Sequence, residues 1–182
     1  NLRSLDLYDA GVSDDQLQAI GALVNLRKLD LSGNEITGEG LRHLGELAEL
    51  KVLSLANNHV VDRGLKHLSR LMRLRMLDLR GNGLTGEGLG GLTGLKDLES
   101  LSLQRNRLAD VAFARHRAPS NLRRLDLSDN AGLTVGGLRY LSDLPDLRAL
   151  DLSFTDTTDA GLVHVGRLRR LEFLDLTATG VK

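Results

Sequence analysis

The 182-residue sequence contains no cysteine and no tryptophan, and aromatic residues make up only 3% of it. Without cysteine no disulfide can brace the fold. So few aromatic rings cannot furnish the stacking platform that a single-stranded nucleic acid needs. An excess of one charge is also missing. The 24 Lys and Arg residues balance 24 Asp and Glu, well mixed along the chain, and the formal net charge is zero. A nucleic acid or an anionic membrane held by bulk positive charge is therefore not expected as a partner. No apolar run reaches the roughly 18 residues that a spanning helix needs, so no membrane crossing is expected. The sequence opens on Asn1 with no signal peptide, and Asn1 is not a natural start, so a trimmed domain of a longer chain is expected.

What the sequence does have is a repeat. From Leu26 it reads Leu26-Arg-Lys-Leu29-Asp-Leu31-Ser-Gly-Asn34-Glu-Ile36-Thr-Gly-Glu-Gly40-Leu41-Arg-His-Leu44-Gly-Glu-Leu47, and at Leu50 the pattern starts again, 24 residues on. The first half reads as a short strand. Alternation at period two sends Leu29 and Leu31 inward, and Lys28, Asp30 and Ser32 outward. The second half reads as a helix. Leu41, Leu44 and Leu47 make one apolar stripe at three-residue spacing, with Thr37 placed to cap its start. One strand and one short helix cannot bury their own apolar faces, but stacked copies can.

Asn34 ends the strand where the backbone must turn. A buried amide there can donate to and accept from the backbone of its own and adjacent turns, which no helix or sheet ladder reaches. The same position holds Asn58, Asn82, Asn106 and Asn130, then Thr155 and Thr179, with Ala10 at the start. Thr keeps part of that bonding and Ala10 none, so the first turn is expected to be the loosest.

The signature Leu-x-x-Leu-x-Leu-x-x-Asn-x-Ile resembles the leucine-rich repeat family. The following Thr-x-x-Gly-Leu-x-x-Leu resembles its ribonuclease-inhibitor-like subclass, and the 24-residue unit is similar to bacterial repeats, including the GALA-type effectors. The resemblance covers essentially the whole chain. It implies an α/β leucine-rich repeat solenoid, a right-handed horseshoe or arc, with a parallel β-sheet on the concave face and helices on the convex face. It also implies protein binding as the activity. Extracellular members commonly close their ends with disulfides, so the absence of cysteine points to a reducing or bacterial setting, and the chain is expected to be cytoplasmic.

Repeats start at Leu2, Leu26, Leu50, Leu74, Leu98, Leu122, Leu147 and Leu171, giving one domain over 1–182 of seven repeats and a truncated eighth. Ser13-Asp-Asp-Gln16 resembles a capping box. Val61 replaces the capping Thr in repeat three, and Asp62 is read as capping one residue later. Repeat four carries Gly86, Gly88, Gly90, Gly91 and Gly94. Two adjacent glycines cost about 2 kcal/mol of helix propensity, so a short or irregular convex segment is expected there. Repeat five places Phe113 at the first helix leucine but Pro119 further on, which blocks a continuing helix. That stretch reads as a tolerated irregularity, or alternatively as a basic contact point through Arg115, His116 and Arg117. Repeat six has one extra residue near Gly132, which could absorb a bulge. Both ends expose a leucine face, which flanking residues, a partner or self-association is expected to cover.

Several motifs tempt a catalytic reading. Gly81-Asn-Gly83-Leu-Thr-Gly86 matches the dinucleotide fingerprint, yet the same register reads Gly33-Asn-Glu35-Ile-Thr-Gly38 in repeat two. Repeat position explains the match, and a 24-residue unit leaves no room for the crossover helix of that fold. His43, His67 and His164 share a column with Tyr140, but no Cys or carboxylate recurs beside them to complete a metal site. No nucleophile–base–acid order, zinc-binding helix or phosphate-binding loop occurs. No enzyme activity, cofactor or metal is expected.

The outward strand positions form columns. One reads Asp6, Asp30, Ser54, Asp78, Ser102, Asp126, Asp151 and Asp175, and the column just before the strands is mostly basic: Arg3, Arg27, Lys51, Arg75, Glu99, Arg123, Arg148 and Glu172. This pairing reads as a self-neutralising stripe or as an acidic strip offered to a basic partner. A third column breaks the polarity: Ser4, Lys28, Val52, Met76, Ser100, Arg124, Ala149 and Phe173. Exposed apolar pairs on a sheet are candidate contacts. The expected protein-binding residues are Lys28, Asp30, Val52, Ser54, Ala56, Met76, Asp78, Arg80, Phe154 and Phe173, centred on repeats two to four. The function expected is a protein–protein interaction module binding a partner of unknown identity through its concave face. The alternative is a substrate-recognition or regulatory targeting domain of a larger enzyme or bacterial effector, and a purely structural spacer is a third reading.

Overall fold

The structure is a computed structural model that describes residues 1–115 and 118–182. Each repeat contributes one three-residue strand: β1 Ser4–Asp6, β2 Lys28–Asp30, β3 Val52–Ser54, β4 Met76–Asp78, β5 Ser100–Ser102, β6 Arg124–Asp126, β7 Ala149–Asp151 and β8 Phe173–Asp175. They form one parallel sheet in sequence order, β1 through β8. Register follows the repeat, so Lys28 pairs with Val52 and Val52 with Met76. The extra residue of repeat six is absorbed outside the strands, and Arg124 still pairs with Ala149. Gly132 serves that insertion by closeness rather than by an unusual backbone: a Cβ there would sit 2.8 Å from the Leu108 carbonyl oxygen.

The core is a stack of leucine columns. Leu29, Leu53, Leu77, Leu101, Leu125 and Leu150 point inward from the strands and are buried, as are Leu31, Leu55, Leu79, Leu103, Leu127 and Leu152 two residues later. Burying one such side chain stabilises the fold by roughly 1.5–3 kcal/mol. In the end repeats Leu5, Leu7, Leu171, Leu174 and Leu176 are only partly covered, because each has a neighbour on one side.

The convex segments differ from the α-helices that the sequence suggests. In repeats two to four they are 3-10 helices: Gly40–Glu46, Asp62–Arg70 and Leu89–Leu92. The spacing is compatible with that geometry, although the same spacing at Leu17 and Ile20 lies in an α-helix. Leu41, Leu44 and Leu47 recur every third residue, and a helix of three residues per turn places them on one line facing the core. The α-helical pieces are short: Leu17–Gly21, Val111–Arg115, Val135–Leu138 and Asp159–Val165. The glycine-rich segment of repeat four is indeed the shortest of the three 3-10 helices. A Cβ on Gly88 would meet the Asp62 carbonyl oxygen at 2.0 Å, so these glycines let neighbouring repeats touch. Phe113 fills the core position expected of it. Together with His116 and Arg117, the side chain of Arg115 lies outside the described part of the molecule, and so does the basic contact read there.

The asparagine turns stitch the repeats together. Asn34 Nδ2 donates to the carbonyl oxygens of Leu7, Leu31 and Ser32, and its Oδ1 accepts from the Ala10 and Val12 N–H groups. Asn130 does the same between repeats five and six, donating to Leu103, Leu127 and Ser128 and accepting from Leu108. Each amide thus binds its own turn and the one before it. Ala10 has no such side chain, yet its turn is not untied, because Asn34 reaches back to it. Thr155 donates only to Leu152 within its own repeat and contacts Thr157.

A second set of ties links repeats in pairs on the convex side. The Asp62 carboxylate does not cap its own helix. It accepts from the Thr85 N–H and hydroxyl and from the Gly86 and Gly88 N–H groups, at 2.9–3.0 Å. Asp14 holds Thr37, Asp110 holds Thr134, and Asp159 holds the Lys182 N–H in the same way. Aspartate therefore alternates with threonine, and the bonded unit is a pair of repeats. Thr37 consequently gives its hydroxyl to Asp14, and the helix it was expected to cap begins later, at Gly40. In repeat one the Gln16 side chain accepts from the Ser13 N–H, as the capping-box pattern suggested.

Candidate functional site

The outward face of the sheet carries two rows of side chains set by strand register. The first runs Ser4, Lys28, Val52, Met76, Ser100, Arg124, Ala149, Phe173, and the second Asp6, Asp30, Ser54, Asp78, Ser102, Asp126, Asp151, Asp175. Both are the columns read from the sequence. The structure brings Lys28, Val52 and Met76 side by side, with Asp30, Ser54 and Asp78 beside them. Met76 is 47% exposed and Val52 is half-buried.

Ala56 does not belong to this face. It is 3% exposed, and Ser32, Ser128 and Ser153 in the same column are buried as well. The strand ends two residues earlier, at Ser54, so the period-two alternation does not extend to Ala56 or to Ser32. Ser32 instead gives its N–H and hydroxyl to Asp30 and touches the Ser54 hydroxyl at 2.6 Å.

The aspartate row is occupied with the fold. Asp126 accepts from the Ser128 N–H and hydroxyl on one oxygen and from the Ser102 hydroxyl on the other. Asp151 accepts from the Ser153 N–H and hydroxyl. At Asp175 the Thr177 hydroxyl and then its backbone N–H hold the carboxyl below its ordinary pKa. Arg80 folds back on Asp78, with Nε at 2.9 Å and a terminal nitrogen at 2.6 Å from one oxygen. That hydrogen bond raises the guanidinium pKa above its ordinary value. These contacts bind the row into the turns, and among the described residues Asp78 alone of the row forms a salt bridge, with Arg80.

A hollow of about 660 Å³ opens on the same face between Met76 and Phe173. Its lining comes from five successive strands and the residues just before them: Met76, Ser100, Arg124, Ala149 and Phe173, with Glu99, Arg123, Arg148 and Glu172 along one side. The row is long, short, long, short, long, and the small Ser100 and Ala149 leave the space. Phe173 is 56% exposed. Arg148 pairs with Glu172, and Arg75 approaches Glu99 at 3.7 Å. Among the described residues, Arg123 and Arg124 have no carboxylate within salt-bridge reach. The sequence columns contained these arginines, but the candidate site centred on Val52 and Met76 left them out. Arg124 breaking a row of small and apolar residues was the available signal.

Phe154 stands apart from the hollow, at the turn past β7. It is 59% exposed and has φ of 56°. Every repeat has a left-handed residue here, including Gly33 and Gly81, and a bulky side chain adopts that backbone at a cost. Gly81 and Gly86 of the apparent dinucleotide motif have φ of 66° and 93°, so turn geometry accounts for them. Among the described residues no group of three or more His, Cys, Asp or Glu is placed to hold a metal ion. Among them too, no helix is long and apolar enough to cross a membrane.

Comparison with known proteins agrees with this architecture. A family model described as leucine rich repeat matches residues 48–108, and a second of the same description matches 22–45 and 118–142. The chain is a leucine-rich repeat protein. No curated protein sequence matched it. Among solved structures it is similar to an internalin, inlF, from Listeria monocytogenes, with a TM-score of 0.73 and 22% identity over 91% of this chain and 45% of that one. It is also similar to internalin C2 of the same organism, with a TM-score of 0.76 and 24% identity over 98% of this chain and 73% of that one. The leucine-rich repeat chain thus spans under half the length of the first of these structures.

Proposed function

We propose that this leucine-rich repeat chain is a non-catalytic module that binds a partner protein through the outward, concave face of its sheet. The observation that carries the reading is the exposure of Met76 and Phe173 on a hydrogen-bonded sheet, beside Arg123 and Arg124, which have no salt-bridge partner among the described residues. An apolar centre with a charged rim is a common interface plan. Side chains on regular strands are also held in place before contact, so little freedom is lost on binding. Lys28, Asp30, Val52, Ser54, Asp78 and Arg80 extend this surface toward repeats two and three. A bacterial, cytoplasmic setting and the GALA-type subclass belong to the same proposal, supported by the 24-residue unit and the lack of cysteine. Fractionation of the native cells checks the compartment.

The test is an affinity pulldown from the native source, read by mass spectrometry, with a convex control. Val52→Asp combined with Met76→Asp is expected to remove the captured partner while the protein stays folded by circular dichroism. Lys66→Glu with Arg167→Glu, on the convex side, is expected to retain it. Loss in the convex variant and retention in the concave one would overturn the reading.

A further inference from the structure

We propose that the hollow between Met76 and Phe173 receives an acidic side chain, Asp or Glu, that sits next to an apolar residue in an extended segment of a partner protein. The inference rests on the concave-face reading and gives its chemistry. Arg124 stands in the middle of the hollow, between the small Ser100 and Ala149, and Arg123 stands beside it at the edge. Among the described residues neither guanidinium has a salt-bridge partner. Asp126, the nearest carboxylate on the Arg124 strand, has both oxygens engaged by Ser128 and Ser102. Arg148 is already taken by Glu172.

A guanidinium fork with no partner in a concave site matches a planar carboxylate with two hydrogen bonds. The walls match an apolar neighbour. Met76 and Phe173 face the same space from opposite ends, separated by four strand spacings, or about 19 Å along the sheet. Methionine adapts its shape to a contact readily. An extended segment lying across the strands would span that distance with about six residues. The surroundings also select the charge. Glu99, Glu172, Asp126 and Asp151 surround the two arginines and leave the hollow close to neutral, so a single carboxylate on the guanidinium fork meets less repulsion there than a more highly charged group. A doubly charged phosphate or a polyanion would be repelled by that acidic ring, and the formal net charge of zero offers no wider attraction.

The experiment pans the full chain against a random linear peptide library, then measures synthetic copies of the enriched peptides by titration. Enrichment of Asp or Glu directly beside Leu, Ile, Met or Phe is expected. Arg124→Gln should weaken those peptides about tenfold or more, and Arg124→Lys should weaken them less, since charge remains but the fork is lost. Met76→Ser with Phe173→Ser should weaken them as well. All these side chains are on the open face, so unchanged thermal unfolding confirms that the variants fold. Binders that survive Arg124→Gln but fail with Val52→Asp and Met76→Asp would overturn the carboxylate assignment and leave the concave-face reading standing. Preference for a phosphoserine copy over the aspartate copy, or a library that yields no binder, would overturn the assignment too.

Discussion

The turns that follow the strands and the face that the strands present are built on opposite rules. Behind the face the polar groups tie repeats together: in the turns Asn130 bonds to backbone of repeats five and six, and on the convex side Asp62 holds Thr85, Gly86 and Gly88 of the next repeat. On the face, Met76 and Phe173 are exposed, and Arg123 and Arg124 have no salt-bridge partner among the described residues. The difference separates what holds this molecule together from what it has available for a partner. Substitutions in the first region should cost stability, and those in the second should cost binding.

The largest effect is expected at Asn130, which is fully buried. Asn130→Ala strands backbone groups in two repeats and should cost about 2–3 kcal/mol in urea unfolding. Asn34→Thr should cost less, because Thr155 and Thr179 show that a hydroxyl retains the bond to the strand carbonyl. Equal losses for the two would break the argument that the amide couples repeats. Asp62→Ala comes next, at about 2 kcal/mol, since three backbone N–H groups lose their acceptor. A loss at Asp62 no larger than at an exposed residue such as Lys66 would mean that the paired-repeat ties contribute nothing.

A gain is expected at Phe154. Phe154→Gly removes a bulky side chain from a left-handed backbone and should stabilise by about 0.5–1 kcal/mol, less the greater freedom of glycine in the unfolded chain. Destabilisation instead would show that the exposed ring packs against the fold. The smallest effect is electrostatic. The Asp175 carboxyl is held below its ordinary value by Thr177, so its contribution to stability is present above the unfolded value of about 3.9 and fades as pH falls through the folded one. Its titration by NMR should have a midpoint below that of a free aspartate, and Thr177→Val should move it back up. An unchanged midpoint in the variant would exclude the Thr177 hydroxyl as the cause.

Much of this arrangement was legible in the sequence, for a geometric reason. When strand register equals the repeat period, columns in the sequence become rows on the sheet, so the neighbours Val52 and Met76 follow from counting. The asparagine turns were legible because an amide at a strand end has few other uses. Three features escaped. Ala56 was expected on the contact surface near Val52 and Met76, but the strand stops at Ser54 and Ala56 is buried. The reach of Asp62 to Thr85 depends on how closely two convex segments approach, which one repeat alone does not specify. The hollow depends on side-chain length along a row, long at Met76 and Phe173 and short at Ser100 and Ala149, and on the face being concave. The three-residue leucine spacing allowed the 3-10 geometry without specifying it, since Leu17 and Ile20 at the same spacing lie in an α-helix.

The claim that the concave face is the one that meets a partner is tested most directly by site-specific photo-crosslinking in the native cell. A benzophenone amino acid would replace Met76 or Phe173 on the face, and Lys66 or Arg167 on the convex side. The account predicts a crosslinked partner protein from the first two positions and none from the last two. Crosslinks from Lys66 or Arg167 with none from Met76 or Phe173 would contradict it.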